Sequence, residues 1–407
     1  MELFKILVNS FELIIFGYFG LSSLYVFIFA LAGLFYKNRK QFKPKKTRKF
    51  AVLIPGYKED AVIVSVAEQA TKQNYPNEKY DVIVIADSFS ESTLEQLRKL
   101  PIRVEVVEFE VSKKSKALNL CMKRIGDDYD VAMILDADNV MKPDVLEKIN
   151  MAFERGFTAV QGHRTAKNMN VSFAILDAMS EEINNHIFRK GHRVLGLSSA
   201  LIGSGMALDY HLFKSTMATV DSVGEDKEVE LKIIRNNHKI EYIHDAIIYD
   251  EKTSKSDVFV NQRRRWIAAQ LDYFKSNFFD GLVQLFTKGN IDYFDKVIQM
   301  IMPPRIILEG ILFLATFITA LFLFLPFKDF NSFFVSGFYW WLGIFTLTSV
   351  GLALSIPRKM FTRQTFIAML KIPHGFILML TSLMRIKGAS KKFLHTTHDH
   401  TEDTKHN

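Results

Sequence analysis

Residues 13–36, LIIFGYFGLSSLYVFIFALAGLFY, run without one charged side chain. As a helix rising 1.5 Å per residue, the run spans roughly 36 Å, enough to cross a hydrocarbon core of about 30 Å. A cleaved leader fits poorly, because the apolar run is too long and its start is not basic. The basic residues also follow the run instead of preceding it. Residues 1–36 are therefore expected to form a permanent transmembrane anchor with its amino end outside.

The segment that follows, 37–49 (KNRKQFKPKKTRK), holds eight Lys or Arg and no acid. It accounts for the whole net charge of +8, since the other 44 basic residues are balanced by 44 acidic ones. One juxtamembrane patch of this kind reads as a cytoplasmic linker by the positive-inside rule, and it is drawn to anionic membrane lipids. No nucleic-acid partner is expected. The single cysteine, Cys121, excludes a disulfide framework and any multi-cysteine metal site. Lying in Ala117-Leu118-Asn119-Leu120-Cys121-Met122, it reads as a buried structural thiol in a reducing compartment.

From Phe50 onward the pattern changes. Short apolar runs at Phe50–Ile54, Val82–Ala86, Val104–Val107, Val131–Leu135 and Thr158–Val160 alternate with stretches of helical spacing. Runs of this type, rich in Val and Ile and separated by helices, predict a largely parallel sheet covered on both faces. Ligands of such sheets bind beyond the carboxyl ends of the strands. The polar residues after each run are thus the candidates for function.

Past this region, Ile267, Leu271, Phe274 and Phe278 share one helical face, and Ile291, Phe294, Ile298 and Ile301 share another. Both stripes suit core helices, and lying before a membrane segment they suit interfacial helices as well. Two uncharged spans follow, Gly310–Phe327 and Asn331–Pro357. The basic turn after them, residues 358–363, is expected on the cytoplasmic side. The apolar stretch Phe366–Met384 contains Lys371, Pro373 and His374, so an interfacial or re-entrant helix is expected, with a fourth crossing as the alternative. The expected units are 1–36, 37–49, 50–265, 266–304, 305–385 and a cytoplasmic tail, 386–407.

Six local patterns carry possible chemistry. Asp136-Ala137-Asp138 follows a strand-like run, and two carboxylates at a strand end can share a divalent cation, Mg2+ or Mn2+, with a diphosphate. The same triplet also marks solvated turns. Asp87 ends a second run, where it either meets a base or ribose or caps the next helix near Ser90. Tyr57 and Glu59 reach the same edge. Lys113, Lys114 and Lys116 open a helix, either as a phosphate site or as a solvated basic loop. Asp226, at another helix start, is a general base or a partner of the helix dipole. Gly203-Ser204-Gly205 lets a backbone approach a ligand or simply turns. Gln262-Arg263-Arg264-Arg265-Trp266 is an interface anchor or a diphosphate cradle with an indole beside it.

Taken in order, Asp87, Asp136-Ala137-Asp138, Glu225-Asp226 and Gln262-Arg263-Arg264-Arg265-Trp266 resemble the D, DxD, (T/E)D, QxxRW pattern of family-2 glycosyltransferases. The likeness is greatest to the membrane synthases of cellulose, chitin and hyaluronan, and it covers roughly residues 50–270. It implies a GT-A fold: a Rossmann-like α/β nucleotide-sugar domain between an amino-terminal transmembrane helix and carboxyl-terminal interfacial and transmembrane helices. It further implies inverting, metal-dependent transfer of glucose or N-acetylglucosamine from a UDP-sugar to a growing polysaccharide at the cytoplasmic face of the cell (inner) membrane. A single addition to a lipid or lipid-linked acceptor is the alternative. By this resemblance Tyr57, Glu59 and Asp87 would hold the uridine, Lys116 would approach the diphosphate, and Asp138 would ligate the metal. Asp136 would contact or support the donor, and Asp226 would be the base. Arg265 and Trp266 would hold the diphosphate and the acceptor sugar, with Gly203-Ser204-Gly205 on the acceptor side. Phe393–His398 partly resembles a gating loop, which would bring Thr396 to the nucleotide. The chain departs from the pattern in placing Glu225 where Thr is commoner, and in having fewer spans after the domain than cellulose synthases.

Overall fold

The computed structural model describes residues 2–222, 224–252, 256–324 and 336–384, without the side chains at 2, 4, 5, 256–263, 265, 324 and 382–384. The segment 393–398, and Thr396 with it, lies outside the described residues.

Among the described residues eight strands make one sheet: β1 Phe50–Tyr57, β2 Tyr80–Asp87, β3 Arg103–Val107, β4 Val131–Ile134, β5 Val140–Met141, β6 Ala159–Ala166, β7 Met206–Asp209 and β8 Ile240–Asp250. Their order is β3-β2-β1-β4-β7-β6-β8-β5. Strands β1 to β4 run parallel, as the Val/Ile runs predict. Beyond β4 the sheet is mixed, because β7 lies antiparallel to both β4 and β6, and β5 lies antiparallel to β8. Strand β8 was not among the apolar runs. Glu241, His244 and Asp245 interrupt it, so its sequence lacks the continuous apolar signature of a strand buried on both faces.

Successive side chains of a strand point to opposite faces, and here both faces are covered. Ala51, Leu53, Ile83, Ile85 and Ile134 pack against helices Lys114–Ile125, Tyr210–Met217 and Glu225–Arg235. Val52, Ile54, Val82, Val84 and Met133 pack against helices Ile63–Ala70 and Val145–Glu154. Burying each such Ile, Val or Leu contributes roughly 1.5–3 kcal/mol, which is why the parallel strands read as unbroken apolar runs. Cys121 lies fully buried in the first of these cores, as a small apolar residue.

Among the described residues three helices are long and apolar enough to cross a membrane: Ile6–Gly33, Arg305–Leu323 and Phe338–Ser355. Phe16 meets Trp341 edge-on at 5.2 Å and Phe27 lies against Gly351, so the first and third helices run in the same direction. Phe313 faces Phe345, and Ser349 donates to Glu309, so the second helix runs oppositely. Arg363–Met369 and Ile372–Thr381 are bent by 40° at a short break, the geometry of a broken span or a re-entrant loop. Lys371 and Pro373 sit at that break, where proline's fixed φ and missing N–H favour the start of a new helix.

The amino-terminal helix also packs along the α/β domain. Phe29 and Ala30 meet Ala178, Ile183 and Ile187 of the helix Ser172–Asn184 and the π-helical turn Asn185–Gly191 that continues it. Gly191 permits this contact, since a Cβ there would overlap the Phe29 carbonyl. The expected division between residues 265 and 266 falls inside one helix, Ser256–Lys288.

Candidate active site

The chemistry-bearing residues gather at the carboxyl ends of the parallel strands. Tyr57 and Asp87 are register partners that end β1 and β2. The next residues, Lys58 and Ser88, adopt φ of 55° and 60°. Such left-handed backbone is uncommon without glycine and clusters at functional sites. The Lys58 N–H donates to the Asp87 carbonyl at 3.1 Å, locking the two turns together. Asp87 is only 3% exposed, and Ser88 Oγ donates to its Oδ1 at 3.0 Å. The capping role open to Asp87 belongs instead to Ser90, whose oxygen accepts the Thr93 N–H. Half-buried Tyr57 lies under the Lys58 ammonium at 5.3 Å, with Glu59 beside it on the same edge.

Asp136-Ala137-Asp138 follows β4 after Leu135, and the loop Gly203-Ser204-Gly205 lies over it. The Asp136 N–H donates to Ser204 Oγ at 3.0 Å. With its amide oriented to satisfy its neighbours, Asn139 accepts from Ser204 Oγ at 2.6 Å and donates to Asp250 at 2.8 Å and to Asp138 at 3.2 Å. Gly203 and Gly205 have φ of 67° and 66°, a conformation that glycine adopts freely. A Cβ on Gly203 would stand 3.7 Å from both Asp226 Oδ2 and Lys114 Nζ, so this loop closes directly on the two groups.

Lys114 is the hub of the site. Its ammonium donates to Asp136 Oδ1 at 2.5 Å and to the Gly203 carbonyl at 2.9 Å, and it stands 3.4 Å from Glu225. Burial alone would lower its pKa, but Asp136, Glu225 and Asp226 together raise it, so it stays charged. Glu225 is buried beside Asp226 in the first turn of the helix Glu225–Arg235. Burial pushes its carboxyl up to about 7, against the pull of Lys114 and with the help of Asp226.

The lysine that the resemblance puts at the diphosphate is Lys116, whereas the lysine that faces the acids in the structure is Lys114. Lys116 is exposed and donates to the Val111 carbonyl at 3.3 Å, away from the acids. Residues 114 and 116 stand about 200° apart around the helix axis, so only one can face the cleft. Where the helix begins decides which.

Arg164, on β6, was not singled out in the sequence. It donates to Glu181 at 3.0 Å and lies 4.0 Å from Asp136 and 3.8 Å from Asp250. Asp136 thus sits between two cations. No motif marks Arg164; only the pairing of β6 beside β7 brings it there.

Trp266 is 43% exposed on the helix Ser256–Lys288. Seven residues on, and on nearly the same face, Tyr273 donates to Ser222 Oγ at 2.6 Å and to the Gly224 carbonyl at 2.9 Å. These bonds tie the helix to the segment preceding Asp226. The Arg265 side chain lies outside the described residues.

Whether the site suits a divalent cation follows from its donors. Asp136 and Asp138 offer hard oxygens at one strand end. Among the described residues no cluster of three or more His, Cys, Asp or Glu side chains could hold a metal. This donor set fits Mg2+ or Mn2+ only in the open form, in which substrate phosphates and water complete the shell. Both acids already have partners, Asp136 in Lys114 and Arg164 and Asp138 in Asn139.

A mixed sheet with a parallel half, a DxD turn at the end of its fourth strand and an acidic helix start closing on the same lysine define an α/β enzyme of the GT-A kind. The chain belongs to the family-2 glycosyltransferases: residues 47–269 match the family model described as "Glycosyltransferase like family 2". It is 23% identical over 274 residues to a beta-monoglucosyldiacylglycerol synthase of Trichormus variabilis, a match covering 65% of this chain and 55% of that protein. It is 31% identical over 124 residues to glucans biosynthesis glucosyltransferase H of Rhodopseudomonas palustris, covering 27% of this chain and 17% of that one. This chain thus spans about half the length of the first of these relatives and less of the second. Among solved structures, a mannosyltransferase of Pyrobaculum calidifontis in complex with GDP-Man and Mn2+ shares the fold with a TM-score of 0.55 and 16% identity, covering 90% of this chain and 95% of that one.

Proposed function

We propose that this chain transfers glucose or N-acetylglucosamine from a UDP-sugar to the hydroxyl of a lipid acceptor at the cytoplasmic face of a membrane, with inversion at the anomeric carbon. The observation that carries the reading is the Lys114 ammonium, which touches Asp136 of the donor motif, Glu225 beside the base and the Gly203 carbonyl at once. A donor diphosphate and an acceptor hydroxyl meeting at that point would have opposite charges on hand for both halves of the reaction.

In this reading Tyr57, Glu59 and Asp87 hold the uridine at the ends of β1 and β2. Lys114 faces the diphosphate, and Arg164 fixes the carboxylate of Asp136. A divalent cation held by Asp138 would supply electrostatic stabilisation of the departing diphosphate. The acceptor hydroxyl oxygen bonds to C1 of the sugar as the bond from C1 to the UDP oxygen breaks. Asp226 takes the hydroxyl proton, a contribution of roughly 10²–10⁴-fold. Trp266 and Gly203-Ser204-Gly205 hold the acceptor, and Arg265 joins the diphosphate site.

One comparison favours a lipid acceptor. The match to a beta-monoglucosyldiacylglycerol synthase extends over 65% of this chain. Growth of a polysaccharide is the second reading, favoured by the shorter match, at 31% identity, to glucosyltransferase H. Purified protein in detergent, supplied with UDP-glucose or UDP-N-acetylglucosamine and a diacylglycerol, is expected to release UDP and add one sugar. Polymeric product would replace the lipid reading with the second, and no UDP release with any donor would sink both.

A further inference from the structure

We propose that Lys296, on the helix Ile291–Gln299, is a positioning residue that fixes the acceptor-side loop Gly203–Gly205 through Glu230, a proposal that rests on the transferase reading above. Lys296 is 0% exposed, and its Nζ has no hydrogen-bond partner. The carboxylate paired with it is Glu230, equally buried, at 3.7 Å. Burial holds the Lys296 ammonium below the ordinary lysine range, with Glu230, Asp295 and Asp292 pulling the other way. An apolar residue would fill this volume without desolvating a charge, and a buried ion pair is a poor way to gain stability. Its use therefore lies in what it holds.

Glu230 holds the chain entering the loop. Its Oε1 accepts the Leu201 N–H at 3.3 Å, and its Oε2 accepts from Lys227 Nζ at 2.7 Å. Lys227 Nζ also donates to the Leu201 carbonyl at 2.8 Å. The backbone donor and acceptor of Leu201 are thus both taken by one acid–base pair on the helix of Asp226. One turn before Lys296, Asp292 accepts from Ser198 N–H at 2.7 Å and from Ser198 Oγ at 2.6 Å. Residues 198–201 are pinned at both ends, and Gly203 follows two residues later, beside Asp226 and Lys114. Asp295, on the same helix, accepts from Tyr25 of the amino-terminal anchor at 2.7 Å. The helix Ile291–Gln299 is therefore fastened to the membrane helix on one side and to the acceptor loop on the other.

The test compares the full chain in detergent with Lys296→Met, Glu230→Gln and the double variant. Three quantities are read: UDP release without acceptor, KM for dioleoylglycerol in mixed micelles, and amide hydrogen exchange over residues 198–205. Lys296→Met is expected to raise the acceptor KM by about tenfold while donor hydrolysis stays within about twofold. Exchange at 198–205 should quicken by about tenfold, with β1 and β2 unchanged. The double variant removes both buried charges and carries the same test if the single variants do not fold. Equal losses of donor hydrolysis and transfer, or unchanged acceptor KM and unchanged exchange, would overturn the proposal. If the wild-type chain releases no UDP at all, the transferase reading fails, and the exchange measurement still decides the positioning role.

Discussion

Lys114 Nζ and Asp136 Oδ1 lie 2.5 Å apart, joined across 22 residues of sequence at the carboxyl edge of the sheet. An amine at that point faces the donor motif and the acidic helix start together. Replacing Lys114 with Ala is expected to lower UDP release on the order of 10²-fold, as for removal of a group that stabilises a developing charge. Replacing exposed Lys116 with Ala is expected to leave the rate within about twofold, since surface changes of this kind are close to neutral. Steady-state UDP release by the two variants checks the assignment.

In the proposed mechanism Asp226 is the proton acceptor. Asp226→Asn keeps the shape and the helix start but removes the base, so transfer is expected to fall roughly 10²–10⁴-fold. Thermal unfolding of the variant in detergent should match the parent chain, which separates lost chemistry from lost fold.

Glu225 adds a pH signature. Its folded pKa of about 7 lies above the ordinary value of 4.5. The buried acid therefore prefers its proton, and its contribution to stability is complete below about pH 4.5 and lost as pH rises through about 7. Relative to Glu225→Gln, the parent chain should become less stable across that window and change little above it. The pH profile of transfer should show an inflection near 7 that the variant lacks. Unfolding midpoints and rates measured from pH 4.5 to 8.5, on the order of half a unit apart, test both statements.

A bound cation is expected to be needed for turnover. Chelation should abolish UDP release, and Mg2+ or Mn2+ should restore it. Asp138→Asn should raise the metal concentration for half-maximal rate by about 10–100-fold, whereas Asp136→Asn should lower the rate even at saturating metal, because its partners are Lys114 and Arg164. Metal titrations of both variants distinguish the two acids.

The packing of the amino-terminal helix on the catalytic domain is testable at Gly191. A methyl group there would run into the Phe29 carbonyl. Gly191→Ala is expected to cost about 1–3 kcal/mol, the usual range for overpacking a tight contact. Thermal melts in detergent read the loss, and Gly196→Ala is not an equivalent control, since its φ of 81° is strained for any side chain.

The sequence alone determined the features set by local chemistry. An uncharged run of membrane length, apolar runs ending in acids, and helix starts rich in charge can each be read from neighbouring residues, because strand and helix periods are local. So the parallel half of the sheet, the long apolar helix at the amino end, and the placing of Asp87, Asp136 and Asp226 at element ends were legible. Tertiary structure alone decided which groups touch. It turned Lys114, and not Lys116, toward Asp136 and Glu225, because the phase of a helix depends on where it starts. It brought Arg164 to Asp136 through the pairing of β6 beside β7, and it set Lys296 against Glu230 through packing between elements far apart in the chain. No local pattern encodes a distance between such residues; only the folded sheet and its covering helices do.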